Sequence, residues 1–433
     1  MRFTAFLRPN DHGSTYSTEV IGGLTTWMTM VYIVVVNPAM LAATGMDQGS
    51  VFVATCLAAA LGSLLMAVLA NYPIALAPGM GLNAFFTYSL VLGGGYTWQT
   101  ALMAVFCSGV LFVLLSAFRL REYIVNAIPA SLKIGSAIGI GLFLAVIGLQ
   151  NANVIVQGTG TLTDLGDVHA FPVLMTALGF VLILMLHVRK KSWCVIGGIA
   201  CVTVLAWVFD DSAALTGFAS LPPSLAPTFL QLDVQFDFSI AFSTAVITLL
   251  LVDLFDTSGT LVAIGKVGKL EVNGKLERLR GAMLADSTAT VVGALLGTST
   301  TTSYIESNAG ISVGGKTGFT ALVASVLFLL TLFLFPLAAS IPIYATAPAL
   351  LYVAILLVGT LGEFTQWDDF AESAPLATTA ILIPLSFSIA DGLAAGVLVY
   401  VLVRLLSGRV RELHPAVITL ALVFALRFAF LTA

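Results

Sequence analysis

A chain of 433 residues that is 59% hydrophobic and 9% charged, with a mean hydropathy of +1.03, is far from the soluble range, where about a quarter of residues are charged. Its apolar residues fall in runs of about 20 rather than in short alternating segments, which excludes a soluble enzyme and a β-barrel and leaves an all-α polytopic membrane protein. The net charge of −4 matters less than its division among loops, and the four cysteines (Cys56, Cys107, Cys194, Cys201) lie in or beside apolar runs with no disulfide or zinc spacing.

Residues 1–19 are polar and carry Arg2 and Arg8, and no small-residue cleavage pattern follows the first apolar run, so no signal peptide is expected. Apolar runs then follow at 20–42, 50–70, 73–92, 99–117, 132–149, 171–188 and 192–209. After a long connector come 239–264, 281–297, 299–314, 318–337, 344–360, 374–390 and 392–406, and finally 415–431. Lys and Arg collect in the N-terminus, 119–121, 189–191, 266–280, at Lys316 and in 404–411, while 43–49, 93–98, 150–170, 210–237 and 338–343 hold none. A cytoplasmic N-terminus puts nearly all the basic loops inside. The connector 361–373 would also be inside although it is acidic, and it reads as an interfacial segment.

The expected architecture is 14 transmembrane segments. Seven spans, a long outside loop and seven more make the second half start from the opposite side. Residues 1–232 and 233–406 are then inverted repeats, an arrangement typical of secondary transporters. Residues 407–433, with the apolar run 415–431, stand outside that scheme, as an extra span or a helix on the membrane face. In each half the third segment is irregular: YPIALAPGMGLNAFF (72–86) has two prolines and two glycines, and LGTSTTTSYIESNAGISVGG (296–315) is crowded with Ser, Thr and Gly. Neither favours an unbroken helix. Interrupted segments at matching positions point to a binding site at the membrane midplane.

Glu306 lies inside the second of these segments, where a carboxylate costs several kcal/mol and is partnered or functional. Ser303 and Asn308 are its nearest candidate partners. Asp256 sits midway along LLLVDLFDTSGTLVA (249–263), with Asp253 one turn earlier on the same face. Asp253 reads equally as a second functional acid or a structural one. No histidine lies within a segment, so any proton carried must ride on carboxylates. Asn83 offers two donors and an acceptor beside the break in the first irregular segment; Phe85 and Phe86 could stack on a planar ligand or fill the core. Asp286 is expected near a segment end, and Asp391 as the N-cap between two spans. Two carboxylates and an amide with no basic residue suit a flat, NH-rich ring better than an anion. No nucleotide-binding loop is present, so an ion gradient is the expected energy source. A passive channel or facilitator is the alternative.

Four motifs in order, GGLTTWMTMVYIVVVNPAML (22–41), APGMGLNAFF (77–86), FDTSGTLVA (255–263) and GTSTTTSYIES with GGKTGFTA (297–307, 314–321), resemble the AzgA-like branch of the nucleobase–cation symporter-2 family, permeases for adenine, guanine and hypoxanthine. The resemblance runs from about residue 10 to the end. It implies a core domain from segments 1–4 and 8–11 (about 18–118 and 236–337) and a gate domain from segments 5–7 and 12–14 (about 122–210 and 340–406), with short strands in segments 3 and 10. It further implies purine binding by Glu306, Asp256 and Asn83, with Ser303, Phe85 and main-chain groups near Ala84 and Ile305 in the same set. Proton coupling would fall to Asp256, Glu306 and Asp253. The expected partners are a purine nucleobase, a proton, the lipid bilayer of the plasma membrane and a second copy in a homodimer; no cofactor, metal or nucleic acid is expected. Asn308 departs from the small residue usual in that family.

Overall fold

The computed structural model describes residues 8–117, 128–158, 163–211, 213–235, 239–268, 270–272, 275–276 and 278–430. The basic stretch 119–121 lies outside these residues. The first half contains α1 (Tyr16–Met30), α2 (Ile33–Ala42), α3 (Gln48–Ala70), β1 (Leu76–Pro78), α4 (Met80–Ala84), which continues as a π-helix over Phe85–Gly93, and α5 (Trp98–Ala117). It goes on with α6 (Ala130–Asn151), a hairpin of β2 (Ile155–Gln157) and β3 (Thr163–Leu165), α7 (Phe171–Val188) and α8 (Cys194–Phe209). The second half opens with α9 (Ile240–Val267), a hairpin of β4 (Glu271–Val272) and β5 (Lys275–Leu276), α10 (Leu279–Leu296), β6 (Thr301–Ser303) and α11 (Ser307–Ser312). It closes with α12 (Gly318–Thr331), α13 (Phe335–Ala339), α14 (Ile343–Val358), α15 (Phe370–Ser386), α16 (Ile389–Leu406) and α17 (Pro415–Phe430). Among the described residues ten helical stretches are long and apolar enough to cross a membrane, and Met80–Gly93, Cys194–Phe209, Phe370–Ser386 and Pro415–Leu426 are shorter apolar helices.

The helices sort into two packed groups. In one, α3 packs on α10 and α12, α5 on α9 and α10, and α1 on α12. In the other, α6 packs on α14 and α15, α15 on α16, and α14 on α7 and α8. Close approach depends on small residues. A Cβ on Gly23 of α1 would lie 2.5 Å from the Val323 side chain, so only hydrogen fits where α1 crosses α12. The α1–α12 contact also carries a buried acid that the sequence does not single out. Glu19, with no exposed surface, accepts the N–H groups of Lys316, Thr317 and Thr320 at 3.1, 3.3 and 3.2 Å. A carboxylate satisfying the unpaired donors at a helix start is worth up to about 2 kcal/mol where it is shielded from water.

Outside the apolar slab the ends are capped by local chemistry. The Ser50 hydroxyl (2.6 Å) and N–H (2.8 Å) both bond to Asp47 at the start of α3 and hold its carboxyl below the usual range. In the acidic connector, Asp369 accepts the Ala371 N–H at 3.0 Å and pairs with Arg409 at 2.7 Å, which likewise lowers its carboxyl. Two expectations need correction. Ser388, not Asp391, caps α16: its hydroxyl accepts the Asp391 N–H at 3.2 Å, because the helix begins one turn earlier than the turn-like SIADG suggests. Asp286 does not sit near a segment end but in the middle of α10, fully buried.

Candidate functional site

Both irregular segments are a three-residue strand followed by a short helix. Strands β1 and β6 pair antiparallel, Leu76 with Ser303, Ala77 with Thr302 and Pro78 with Thr301. The pairing extends through Gly79 N–H to the Thr300 carbonyl (2.9 Å) and Tyr304 N–H to the Ala75 carbonyl (3.1 Å). All six strand residues are buried. Extended backbone at this depth is tolerable because each strand supplies the other with partners. Gly297 makes the entry to β6 possible: its φ is +93° and a Cβ there would lie 2.3 Å from Thr228. Beyond the strands the Tyr304 hydroxyl donates to the Pro78 carbonyl at 2.6 Å, tying the two breaks together a second time.

Four carboxylates surround this pair of strands and divide into two kinds. Asp253 and Asp286 have no exposed surface. Asp286 accepts from the Thr257 hydroxyl at 2.9 Å and from the Ser303 hydroxyl at 3.1 Å, so one side chain of α10 joins α9 to β6 from behind. Asp253 stands within 3.4 Å of the Thr257 hydroxyl and 3.5 Å of the Thr290 hydroxyl. Glu306 and Asp256 are the other kind, each only half-buried. Glu306 accepts from the Tyr32 hydroxyl at 2.8 Å, and Asp256 accepts from the Thr302 hydroxyl at 3.3 Å. They lie within electrostatic range of each other. Among the described residues neither forms an ion pair. Tyr352 of α14, from the opposite helical group, is within electrostatic range of Glu306, and α9, which carries Asp256, packs on α6 and α16 of that group, so the pair lies where the two groups meet.

The remaining expected site residues are placed differently. The Ser303 side chain points back to Asp286 and not towards Glu306. The Asn83 carboxamide is fully buried, accepting from the Ser299 hydroxyl and lying 3.5 Å from the Pro78 carbonyl. It locks the start of α4 to the strand pair. Ala84 and Phe85 are buried, whereas Ile305 is 42% exposed beside Glu306. The partner of Glu306 is neither Ser303 nor Asn308 but Tyr32, in the two-residue break between α1 and α2. A tyrosine inside VYIVVVNP is a signal the sequence offers, since a buried hydroxyl needs a partner, but nothing in it says which acid that partner is.

Comparison with known proteins decides the family. The Permease family model, Xan_ur_permease, matches residues 17–395. The chain belongs to that family, the nucleobase–cation symporter-2 permeases. A putative permease of Methanocaldococcus jannaschii, MJ0326, is 46% identical over 422 residues, covering 97% of this chain and 97% of that one. The adenine permease AdeP of Escherichia coli K12 is 44% identical, covering 98% of this chain and 95% of the relative. The guanine/hypoxanthine permease PbuG of Bacillus subtilis is also 44% identical, over 98% and 99%. In fold the permease is similar to the transmembrane domain of the cyanobacterial bicarbonate transporter BicA, with a TM-score of 0.68 at 17% identity over 86% of this chain and 96% of that one. SLC26A9 follows with a TM-score of 0.63 at 11% identity, over 90% and 65%. The protein is thus a membrane-spanning nucleobase permease and not an enzyme.

Proposed function

We propose that this permease imports purine nucleobases across the plasma membrane by proton symport, with access alternating between a core group of helices and a gate group. The observation that carries this reading is the pair Glu306 and Asp256. These are the two acids at the strand pair that keep open surface, Asp256 against Thr302 of β6 and Glu306 just beyond its end, at the meeting of the two helical groups. A carboxylate accepts a ring N–H or an exocyclic amine, and when protonated donates to a ring nitrogen or carbonyl. In our reading Glu306 and Asp256 hold opposite parts of the purine edge, and main-chain groups near Ala84 and Ile305 complete the contact. Asn83, Ser303 and Asp253 act from the supporting layer. A ligand that binds one protonation state better than the other couples its own movement to that of a proton. The relatives named for adenine and for guanine and hypoxanthine support a purine.

The core corresponds to α1–α5 and α9–α13, and the gate to α6–α8 and α14–α16, in 14 segments arranged as two inverted repeats with the N-terminus cytoplasmic. The antiparallel pairing of β1 with β6 supports that symmetry. A homodimer is part of the same reading. The test is uptake of labelled adenine, hypoxanthine, guanine, xanthine and uracil in cells lacking their own nucleobase permeases, with and without a protonophore. Saturable accumulation of a subset of purines, lost with the gradient, is expected. Uptake that only equilibrates and ignores the protonophore would replace the symporter with a facilitator.

A further inference from the structure

Helix α17 stands outside the two repeats, yet its packing is specific. Val417, Ala421 and Phe424 recur at helical spacing on one face and are buried to 1%, 5% and 0% exposure. That face meets helices from both groups, α16 of the gate and α9 of the core. Leu251 and Phe255 of α9, Leu132 of α6, Val397 of α16, and Val417 and Leu420 of α17 line one small apolar pocket where the four helices converge. Phe255 is the residue immediately before Asp256.

The two contacts are fastened differently. The turn between α16 and α17 is pinned by Arg404 of α16, which pairs with Glu412 in the turn and with Glu372 of α15. Glu372 in turn accepts from the Ser131 hydroxyl of α6, and the Arg404 guanidinium lies 4.6 Å over the Tyr400 ring. Arg404 and Glu372 are both buried, so this knot joins three gate helices, α6, α15 and α16, to the base of α17. Against α9 the helix presents the apolar face just described. An ionic knot fixes one geometry, whereas apolar burial is non-directional and specifies no single register so long as the area stays covered.

We infer that α17 is a strap that travels with the gate and bears on α9, so that every relative movement of the two groups slides the Asp256-bearing helix along it. This rests on the alternating-access reading above. It explains why an apolar helix follows the last repeat segment without contributing a residue to the site. It also assigns the Arg404–Glu372–Glu412 cluster the task of holding the strap to the gate.

Paired cysteines in the full-length protein, with its four native cysteines replaced, test the inference with a short bifunctional thiol reagent. Linking α17 to the gate through Val397→Cys and Val417→Cys should leave purine uptake within about twofold of the unlinked protein. Linking α17 to the core through Leu251→Cys and Leu420→Cys should lower it by about tenfold or more, with purine binding retained in a thermal-shift assay. Equal tolerance of both links overturns the strap, as does arrest by the gate link alone. A third pair, Ser89→Cys and Phe387→Cys, joins core to gate where the Ser89 hydroxyl meets the Phe387 carbonyl at 2.9 Å. If that link also leaves uptake intact, relative movement of the two groups itself is wrong. If it arrests uptake while the α9–α17 link does not, only the strap fails.

Discussion

The two broken segments have the same backbone plan and opposite use of polarity. In the first, Pro78, Gly79 and Gly81 break the helix, and the one strongly polar side chain, Asn83, is enclosed and engaged with Ser299 and the Pro78 carbonyl. In the second, hydroxyl residues accompany the break, and its acid, Glu306, keeps open surface with, among the described residues, a single side-chain hydrogen-bond partner, Tyr32. The same contrast separates Asp286, whose two oxygens each accept a hydroxyl, from Asp256, with its one long contact to Thr302. A polar group whose valences are filled by the protein stabilises a shape; one left with free valences at an opening is available to a ligand. Burial and partner count, more than residue type, separate the proposed binding pair from its support.

Substitutions at the open acids should do most to break that contrast. Glu306→Gln is expected to reduce purine uptake by about a hundredfold, ~3 kcal/mol, while the protein reaches the membrane in normal amount. Near-normal uptake would remove Glu306 from the site. Asp256→Asn should follow at about tenfold or more, read as lost accumulation with residual purine exchange, because the amide still bonds but neither takes up nor releases a proton. An equal loss of exchange would make Asp256 a binding group without a coupling role.

The enclosed partners should act through the fold. Asn83→Ala takes the acceptor from the buried Ser299 hydroxyl and Asp286→Ala that from the Ser303 hydroxyl, and each should lower stability by about 1–3 kcal/mol, measured as a fall in the melting temperature of the purified protein. Unchanged melting with lost uptake would move the residue from support to binding. The smallest effect is expected for Tyr32→Phe, which removes one hydrogen bond to Glu306 and should raise KM by about tenfold or less, near 1.4 kcal/mol, with the maximal rate preserved.

The two acids of the candidate site were legible before folding. A carboxylate in an apolar run is conspicuous because its burial is costly, and Glu306 and Asp256 stand out on that ground alone. Tyr32 was not legible, because its link to Glu306 joins residues 274 positions apart in the chain. Glu19 was hidden for a similar reason: it sits at the polar edge of the first run, and only the packing of α1 on α12 turns it into the cap of a distant helix. Asp286 was misplaced because Ser287, Thr288 and Thr290 make its surroundings look like a segment boundary, whereas the Ser287 hydroxyl turns back onto its own helix and the Thr290 hydroxyl serves the buried network.

By itself the sequence determined the membrane class, the approximate limits of the apolar segments, the two places where helix gives way and the presence of acids inside apolar runs. Those properties follow from local composition: hydropathy sums over a window, Pro, Gly and Ser/Thr act on their own turn, and a charge is costly wherever the chain is apolar. The tertiary structure decided which strand pairs with which, which acids are closed by hydroxyls and which stay open, and that α17 lies against both helical groups. Those are relations between segments far apart in the chain, fixed by the need to satisfy each buried donor and acceptor at once.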